Sequence, residues 1–161
     1  MNHNITQKMF CLWAILGVMV SVILQYAVGL VPCPLCIMQR VCVILLALTA
    51  SISLFWEGFT NKKLYWILQF FWLFGGFYFV LRQLWLQALP ASHLSCMPSL
   101  EMLIAYFPLT KILQALFLGG AECAVVSFRF LGLSIAAWSL VYFISTAVFL
   151  ALVLRQKLHA R

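Results

Sequence analysis

Four long, nearly uncharged apolar stretches, roughly 11–31, 38–56, 64–81 and 132–154, dominate this sequence. A helix that crosses a bilayer needs about 20 mostly apolar residues, and in lipid only helices or closed barrels satisfy their own backbone hydrogen bonds. The stretches are uniformly apolar rather than alternating, as barrel strands would be. They predict an all-α membrane protein, a four-transmembrane-helix bundle, with the whole chain, 1–161, as one membrane domain. Composition agrees: 66% of residues are hydrophobic and 8% charged, where a soluble domain carries about 25% charged residues. The second stretch is short unless it begins near Ile37, which brings Gln39 and Arg40 into its first turn. Lys8 and the apolar run after it have the outline of a secretory leader, but the run is long and no small-x-small site precedes Pro32, so it is expected to stay as the first span.

Four spans put both termini on one side. Lys8, Lys62, Lys63, Arg155, Lys157 and Arg161 fall on that side, and Arg40, Arg82, Lys111 and Arg129 on the other. The positive-inside rule then places both termini and the 57–63 loop in the cytoplasm. The segments 32–37 and 82–131 face outward. The net charge of +7 is a mark of topology, and nothing in the sequence points to nucleic acid.

The third stretch carries Gly75-Gly76, which allows close helix packing, and is expected to run out at Arg82-Gln83. In the outward segment, Leu100, Leu103, Ile104 and Phe107 have helical spacing. After Pro108, Leu109, Ile112, Leu113, Leu116 and Phe117 form one apolar face opposite Thr110, Lys111 and Gln114. Gly119-Gly120 stops that helix. It is too short to span, so it is expected to lie in the membrane interface, either fixing the segment that bears Cys123 or simply capping the bundle.

There are six cysteines. Cys11 and Cys42 lie within apolar spans, where cysteine behaves as a small hydrophobe. Cys33, Cys36, Cys96 and Cys123 all fall on the outward side, a compartment that permits disulfides if it is a bacterial periplasm. Cys33-Pro34-Leu35-Cys36 is a Cys-x-x-Cys pair at the membrane edge. Cys36 begins the second helix, whose positive dipole end favours a thiolate. Arg40, four residues on, lies about one turn further along the same face; it serves either to stabilise a thiolate or a quinone oxygen, or as an anchor at the headgroups. A disulfide between Cys96 and Cys123 would close the outward segment, and as a staple it would stabilise by about 2–4 kcal/mol. Zinc needs four ligands, and no histidine has suitable spacing, so no metal is expected. The residues alone therefore leave three readings open: a thiol oxidoreductase, a stapled non-catalytic membrane subunit, and a carrier of reducing equivalents across the bilayer. The last requires paired cysteines on the inner side, and Cys11 there has no partner in the sequence.

Several segments together carry a resemblance. Cys33-Pro-Leu-Cys-Ile-Met-Gln-Arg40, Arg82-Gln-Leu-Trp-Leu-Gln-Ala-Leu-Pro90, Cys96-Met-Pro-Ser-Leu100, Phe107-Pro-Leu109, Gly120-Ala-Glu-Cys-Ala124 and Phe130-Leu-Gly-Leu-Ser134 occur in this order over most of the chain. The chain resembles the disulfide bond formation protein B (DsbB) family of bacterial inner membranes. The resemblance implies a bound ubiquinone or menaquinone and oxidation of a periplasmic thioredoxin-like dithiol protein of the DsbA type. It implies that Cys96 forms the mixed disulfide with that partner, that Cys123 is its loop mate, and that Cys33 and Cys36 reoxidise the loop pair. Cys36 would meet the quinone and Arg40 would help to hold it. Met97 departs from a glycine common in relatives, Phe128 from a tryptophan, Val125 from a nearby acidic residue, and Gln83 from a histidine. Trp13, Leu12, Leu30, Val31, Ile37, Met38 and the aromatics of the third helix are candidates for an apolar groove, with Trp85 and Gln87 behind them. Glu122 is expected to disfavour a thiolate at Cys123.

Overall fold

The computed structural model describes residues 3–29, 33–56, 63–89, 102, 106–125 and 129–159. Its elements are α1 (His3–Val28), α2 (Pro34–Phe55), α3 (Lys63–Ala88), α4 (Leu109–Leu118), α5 (Ala121–Ala124), β1 (Arg129–Phe130), β2 (Leu133–Ser134) and α6 (Ile135–His159). Among the described residues, α1, α2, α3 and α6 contain four segments long and apolar enough to cross a membrane: Ile5–Ala27, Pro34–Phe55, Lys63–Ala88 and Ile135–Leu158. α2 packs against α1 and α3, and α6 packs against α3 and α1, which closes a ring of four helices. Phe10, Leu46, Leu73, Val80, Phe143 and Leu150 fill its centre. Leu12, Ile23, Phe71, Phe74, Ile144 and Val148 are exposed on its outer faces, where lipid takes the place of water.

Helix ends differ from expectation at two places that matter. α2 starts at Pro34, with Cys33 as its N-cap. Proline suits this first position because its missing N–H would have had no intrahelical partner. α3 runs to Ala88, well past Arg82-Gln83, because the first helix breaker after them in the sequence is Pro90. Arg82, Gln83 and Gln87 are therefore helical, and Gln83 is turned into the bundle.

Gly76 lies where α3 meets α6: a Cβ there would stand 2.1 Å from the Phe143 ring. Gly75 faces Cys42 of α2, with 3.4 Å from its Cβ position to the sulfur. The pair thus sets two close approaches, as its sequence suggests. The first turns of α6 are fixed by a short hairpin in which Arg129 pairs with Ser134 and Phe130 with Leu133. Leu131 and Gly132 at its tip have φ of 52° and 81°, the two positive values that a tight two-residue hairpin turn requires. Ser134 accepts from the Ala137 N–H at 3.3 Å, capping α6, and donates to Gln87 Oε1 of α3 at 3.0 Å.

α4 follows the expected pattern, but its apolar side is divided. Ala115 is buried and Ile112 and Leu116 are half-buried, while Leu109, Leu113 and Phe117 are exposed. The helix rests on α2 and keeps a second apolar stripe outward. Arg82 donates to the Leu118 carbonyl at 3.1 Å, a cation at a helix C-terminus. Gly119 ends α4 at φ 70°, and a Cβ there would lie 2.7 Å from Leu35. This sharp stop brings α5, and Cys123 with it, over the start of α2. Of the outward helix pattern before Pro108, Leu100, Leu103 and Ile104 lie outside the described residues.

Candidate functional site

Cys33 sits at the mouth of α2, and its sulfur accepts from the Cys36 backbone N–H at 3.4 Å. The two sulfurs are 2.9 Å apart as free thiols. Cys123 comes from α5, far along the chain, yet it is 1% exposed in a cluster with Leu35, Cys42, Phe79 and Leu86. Its side chain hydrogen-bonds with that of Cys33. Three of the four cysteines singled out in the sequence therefore meet at the outer end of α2. The fourth, Cys96, lies outside the described residues.

Proton affinities within this group are unequal. Cys33 is pushed above the ordinary thiol value, first by holding its proton toward Cys123, then by the bond to Cys36 and by burial. Cys123 is lowered from 9.0 to about 7, chiefly by that same hydrogen bond from Cys33, against burial, with help from backbone hydrogen bonds with Leu35 and Gly120. Glu122 does oppose the Cys123 thiolate, as its position suggests, but it is the weakest of these influences. Cys123 is nonetheless the more acidic thiol, because Cys33 supplies a donor that the sequence does not reveal.

Two glutamines hold the pair from the other side. Gln83 Nε2 lies 3.2 Å from the Cys36 sulfur and 3.6 Å from that of Cys33. Gln83 Oε1 accepts from Gln39 Nε2 at 2.7 Å. Both residues are buried, at 5% and 6% exposure.

A cavity of about 630 Å³ opens beside this group. Cys33, Cys36, Gln39 and Arg40 of α2, Ser21 and Gln25 of α1, Gln83 and Gln87 of α3, and Trp138 and Tyr142 of α6 all reach its wall, which is mostly apolar. Its size is that of a small-molecule site. Cys36 and Arg40 share it, as their spacing on one face predicts. Arg40 is held from α1: its Nε donates to Ser21 Oγ at 2.9 Å, a terminal nitrogen to the Ser21 carbonyl at 3.2 Å, and the other to Gln25 Oε1.

The cavity differs in part from the groove expected from sequence. Trp13 and Gln87 line it, whereas Leu12, Ile37, Met38, Trp85 and the aromatics of α3 do not. Leu30 and Val31 lie outside the described residues. Gln39, Gln83, Ser21 and Gln25 are site residues that the sequence reading misses. A signal for them is present, since polar side chains inside a spanning helix are costly and tend to face a cavity or a partner. Ser21 and Gln25 are four residues apart in an otherwise apolar run, hence on one face.

The family model described as disulfide bond formation protein DsbB matches residues 5–153. The chain is 41% identical over 135 residues to a disulfide bond formation protein B of Aromatoleum aromaticum, covering 83% of this chain and 81% of that protein. It is 41% identical over 149 residues to one of Hahella chejuensis, covering 90% of each, and 34% identical over 145 residues to one of Acinetobacter baylyi, covering 88% and 85%. The chain belongs to the disulfide bond formation protein B family, the multi-pass membrane oxidoreductases of disulfide formation.

Proposed function

We propose that this protein reoxidises a periplasmic thioredoxin-like dithiol protein of the DsbA type and passes the electrons, through Cys96/Cys123 and then Cys33/Cys36, to a membrane quinone, ubiquinone or menaquinone. The observation that carries this reading is the meeting of Cys123 with Cys33 beside the cavity that Cys36 and Arg40 line. A staple between Cys96 and Cys123 alone would not need Cys123 to be packed against the Cys-x-x-Cys pair. The four cysteines face the periplasm and both termini the cytoplasm. In support, Lys8, Lys63, Arg155 and Lys157 belong to the opposite ends of the helices from Cys33.

Electrons balance over four thiol–disulfide exchanges. A partner thiolate attacks Cys96 of the Cys96–Cys123 disulfide, forming a mixed disulfide and releasing Cys123 as a thiolate. The partner's second thiol resolves the mixed disulfide, leaves as its disulfide, and frees Cys96. The Cys123 thiolate attacks Cys33 of the Cys33–Cys36 disulfide; the Cys33–Cys123 bond forms and Cys36 takes the electron pair. Cys96 then attacks Cys123, restoring the loop disulfide, and Cys33 leaves and takes a proton. Each step is thiolate attack on a disulfide, whose rate depends on the attacking thiolate and on the leaving sulfur. The backbone hydrogen bonds with Leu35 and Gly120 favour the Cys123 thiolate whether Cys33 is a thiol or part of a disulfide, which suits Cys123 as the attacker.

The cavity walls fit a quinone: an apolar body among Leu16, Val20, Leu24 and Trp138, with Arg40 and Cys36 for its polar end. When bound, the quinone supplies the acceptor of two electrons and two protons. Arg40 would orient it, its guanidinium remaining charged throughout. A DsbA-type protein is itself a strong oxidant, so its reoxidation needs a stronger acceptor still; the DsbA–DsbB–quinone relay is the established means by which the bacterial periplasm is kept oxidising kinetically.

The test is anaerobic oxidation of a reduced periplasmic thioredoxin-like protein by the purified chain, with and without ubiquinone, while quinone absorbance is followed. Quinone consumed in step with dithiol lost, and abolished by Cys36→Ser and by Cys96→Ser, is the expected result. Both disulfides inert to the partner, with no quinone consumed, would leave a stapled bundle.

A further inference from the structure

We propose that Gln83 is a catalytic residue of the sulfur exchange, its amide N–H receiving the charge that develops on Cys36 as the Cys33–Cys36 bond breaks, and that Gln39 is the positioning residue that aims it. This rests on the relay proposed above. The step is attack by the Cys123 thiolate on Cys33: one S–S bond forms, one breaks, and the electron pair of the broken bond stays on Cys36. A sulfur anion at the edge of a low-dielectric bundle needs a donor, because an unpaired buried charge is costly. Gln83 Nε2, 3.2 Å from Cys36 Sγ, is placed to be that donor.

An amide offers a donor at one end and an acceptor at the other, so it must be held to present the correct end. Gln39 does this by donating to Gln83 Oε1 at 2.7 Å. With that oxygen engaged, Nε2 faces the sulfurs of both Cys36 and Cys33. When the pair is reduced, the same oxygen, 3.6 Å from Cys36 Sγ, faces the thiol proton. The clamp joins α2 to α3 across the site, and it contains no ionisable group. Arg40, by contrast, is engaged by Ser21 and Gln25 of α1, so the two polar side chains that share the cavity with Cys36 are held from different helices.

The experiment uses the full chain in nanodiscs with Cys96→Ser, which stops the exchange at three sulfurs. One disulfide is then shared between Cys33–Cys36 and Cys33–Cys123, and mass spectrometry of the alkylated protein reads the ratio. In the second form Cys36 carries the thiolate. Loss of a hydrogen bond to a charged group is expected to lower the share of Cys33–Cys123 about tenfold in Gln83→Leu, and further in Gln83→Glu, which turns an acceptor toward the sulfur. Gln39→Leu, which leaves the amide in place but unaimed, is expected to lose about threefold, and it keeps the question answerable if the Gln83→Leu protein does not fold. Gln83→His restores a donor and is expected to recover most of the ratio while adding a pH dependence centred near an imidazole value of about 6.5, which a merely structural residue would not introduce. Ratios unchanged in Gln83→Leu, Gln83→Glu and Gln39→Leu would overturn the proposal. Absence of Cys33–Cys123 even with Gln83 present would overturn the relay itself, and this inference with it.

Discussion

The two ends of the helix bundle bury the same kinds of groups and put them to different use. At the inner end Gln7 donates to Ser53 at 2.6 Å, Gln69 to Thr49 at 3.0 Å, and Cys11 meets Ser51 at 3.4 Å. Each of these contacts joins two spanning helices, and Cys11 is packed among Phe10, Leu46 and Ala50. At the outer end Gln39 and Gln83 also bridge two helices, but their free amide end is spent on sulfur, and the sulfur borders a cavity. A buried glutamine or cysteine in a membrane helix therefore does not by itself mark a site. Sulfurs from distant segments brought into contact, beside a space with a charged wall, do.

The largest expected difference between the ends is in activity. Cys36→Ser and Cys123→Ser are expected to reduce dithiol oxidation to background, while Cys11→Ala leaves turnover unchanged and lowers stability by about 1 kcal/mol. A steady-state oxidation assay with a thermal melt reads both. Arg40→Gln removes a half-buried charge from the cavity wall and is expected to raise the KM for quinone by roughly ten- to a hundredfold, with exchange among the cysteines intact. A titration of quinone at fixed partner concentration separates the two.

Acidity provides a third contrast. The native value of Cys123 lies at about 7, below its ordinary 9.0. As a depressed acid it adds stability above the ordinary value and loses it as pH falls through about 7. By the same sign, the Cys123 thiolate fraction of the fully reduced protein rises about tenfold between pH 6 and pH 8, so alkylation of Cys123 in that state is expected to rise in the same window. In Cys33→Ala the hydrogen bond that lowers the value is gone, and alkylation of Cys123 is expected to shift to higher pH.

Smaller effects concern packing. Gly76→Ala drives a Cβ to within 2.1 Å of the Phe143 ring, and overpacking of that kind costs about 1–3 kcal/mol, measurable by unfolding in mixed micelles. Gln7→Leu with Ser53→Ala removes an inner polar pair while Tyr65 keeps Gln69 as a partner, and is expected to cost only about 0.6 kcal/mol, with no change in turnover.

How much of this the sequence discloses follows from the range of each signal. The four spans, the Cys-x-x-Cys pair and the facing of Arg40 depend on neighbours within a turn or two, and these are legible. The short helix before Gly119 is legible as well, though not that its apolar side divides between α2 and the lipid. Gln83 is hidden because the apolar pattern of α3 fades at Arg82, before the helix ends. The contact between Cys123 and Cys33 depends on the turn at Gly119 and the seating of α5, which no local pattern encodes, and it outweighs Glu122 in setting the acidity of Cys123. Ser21 and Gln25 are visible as a polar pair, but what they hold, Arg40, is on another helix.

The central claim is that electrons cross between the loop and the membrane edge through Cys123 and Cys33. It is tested most directly by trapping. In the Cys36→Ser, Cys96→Ser protein, mild oxidation followed by proteolysis and mass spectrometry should return a peptide pair joined by Cys33–Cys123, formed in good yield within the monomer. Recovery of both cysteines as free thiols, or of Cys123 joined instead to Cys42 or to another molecule, would contradict it.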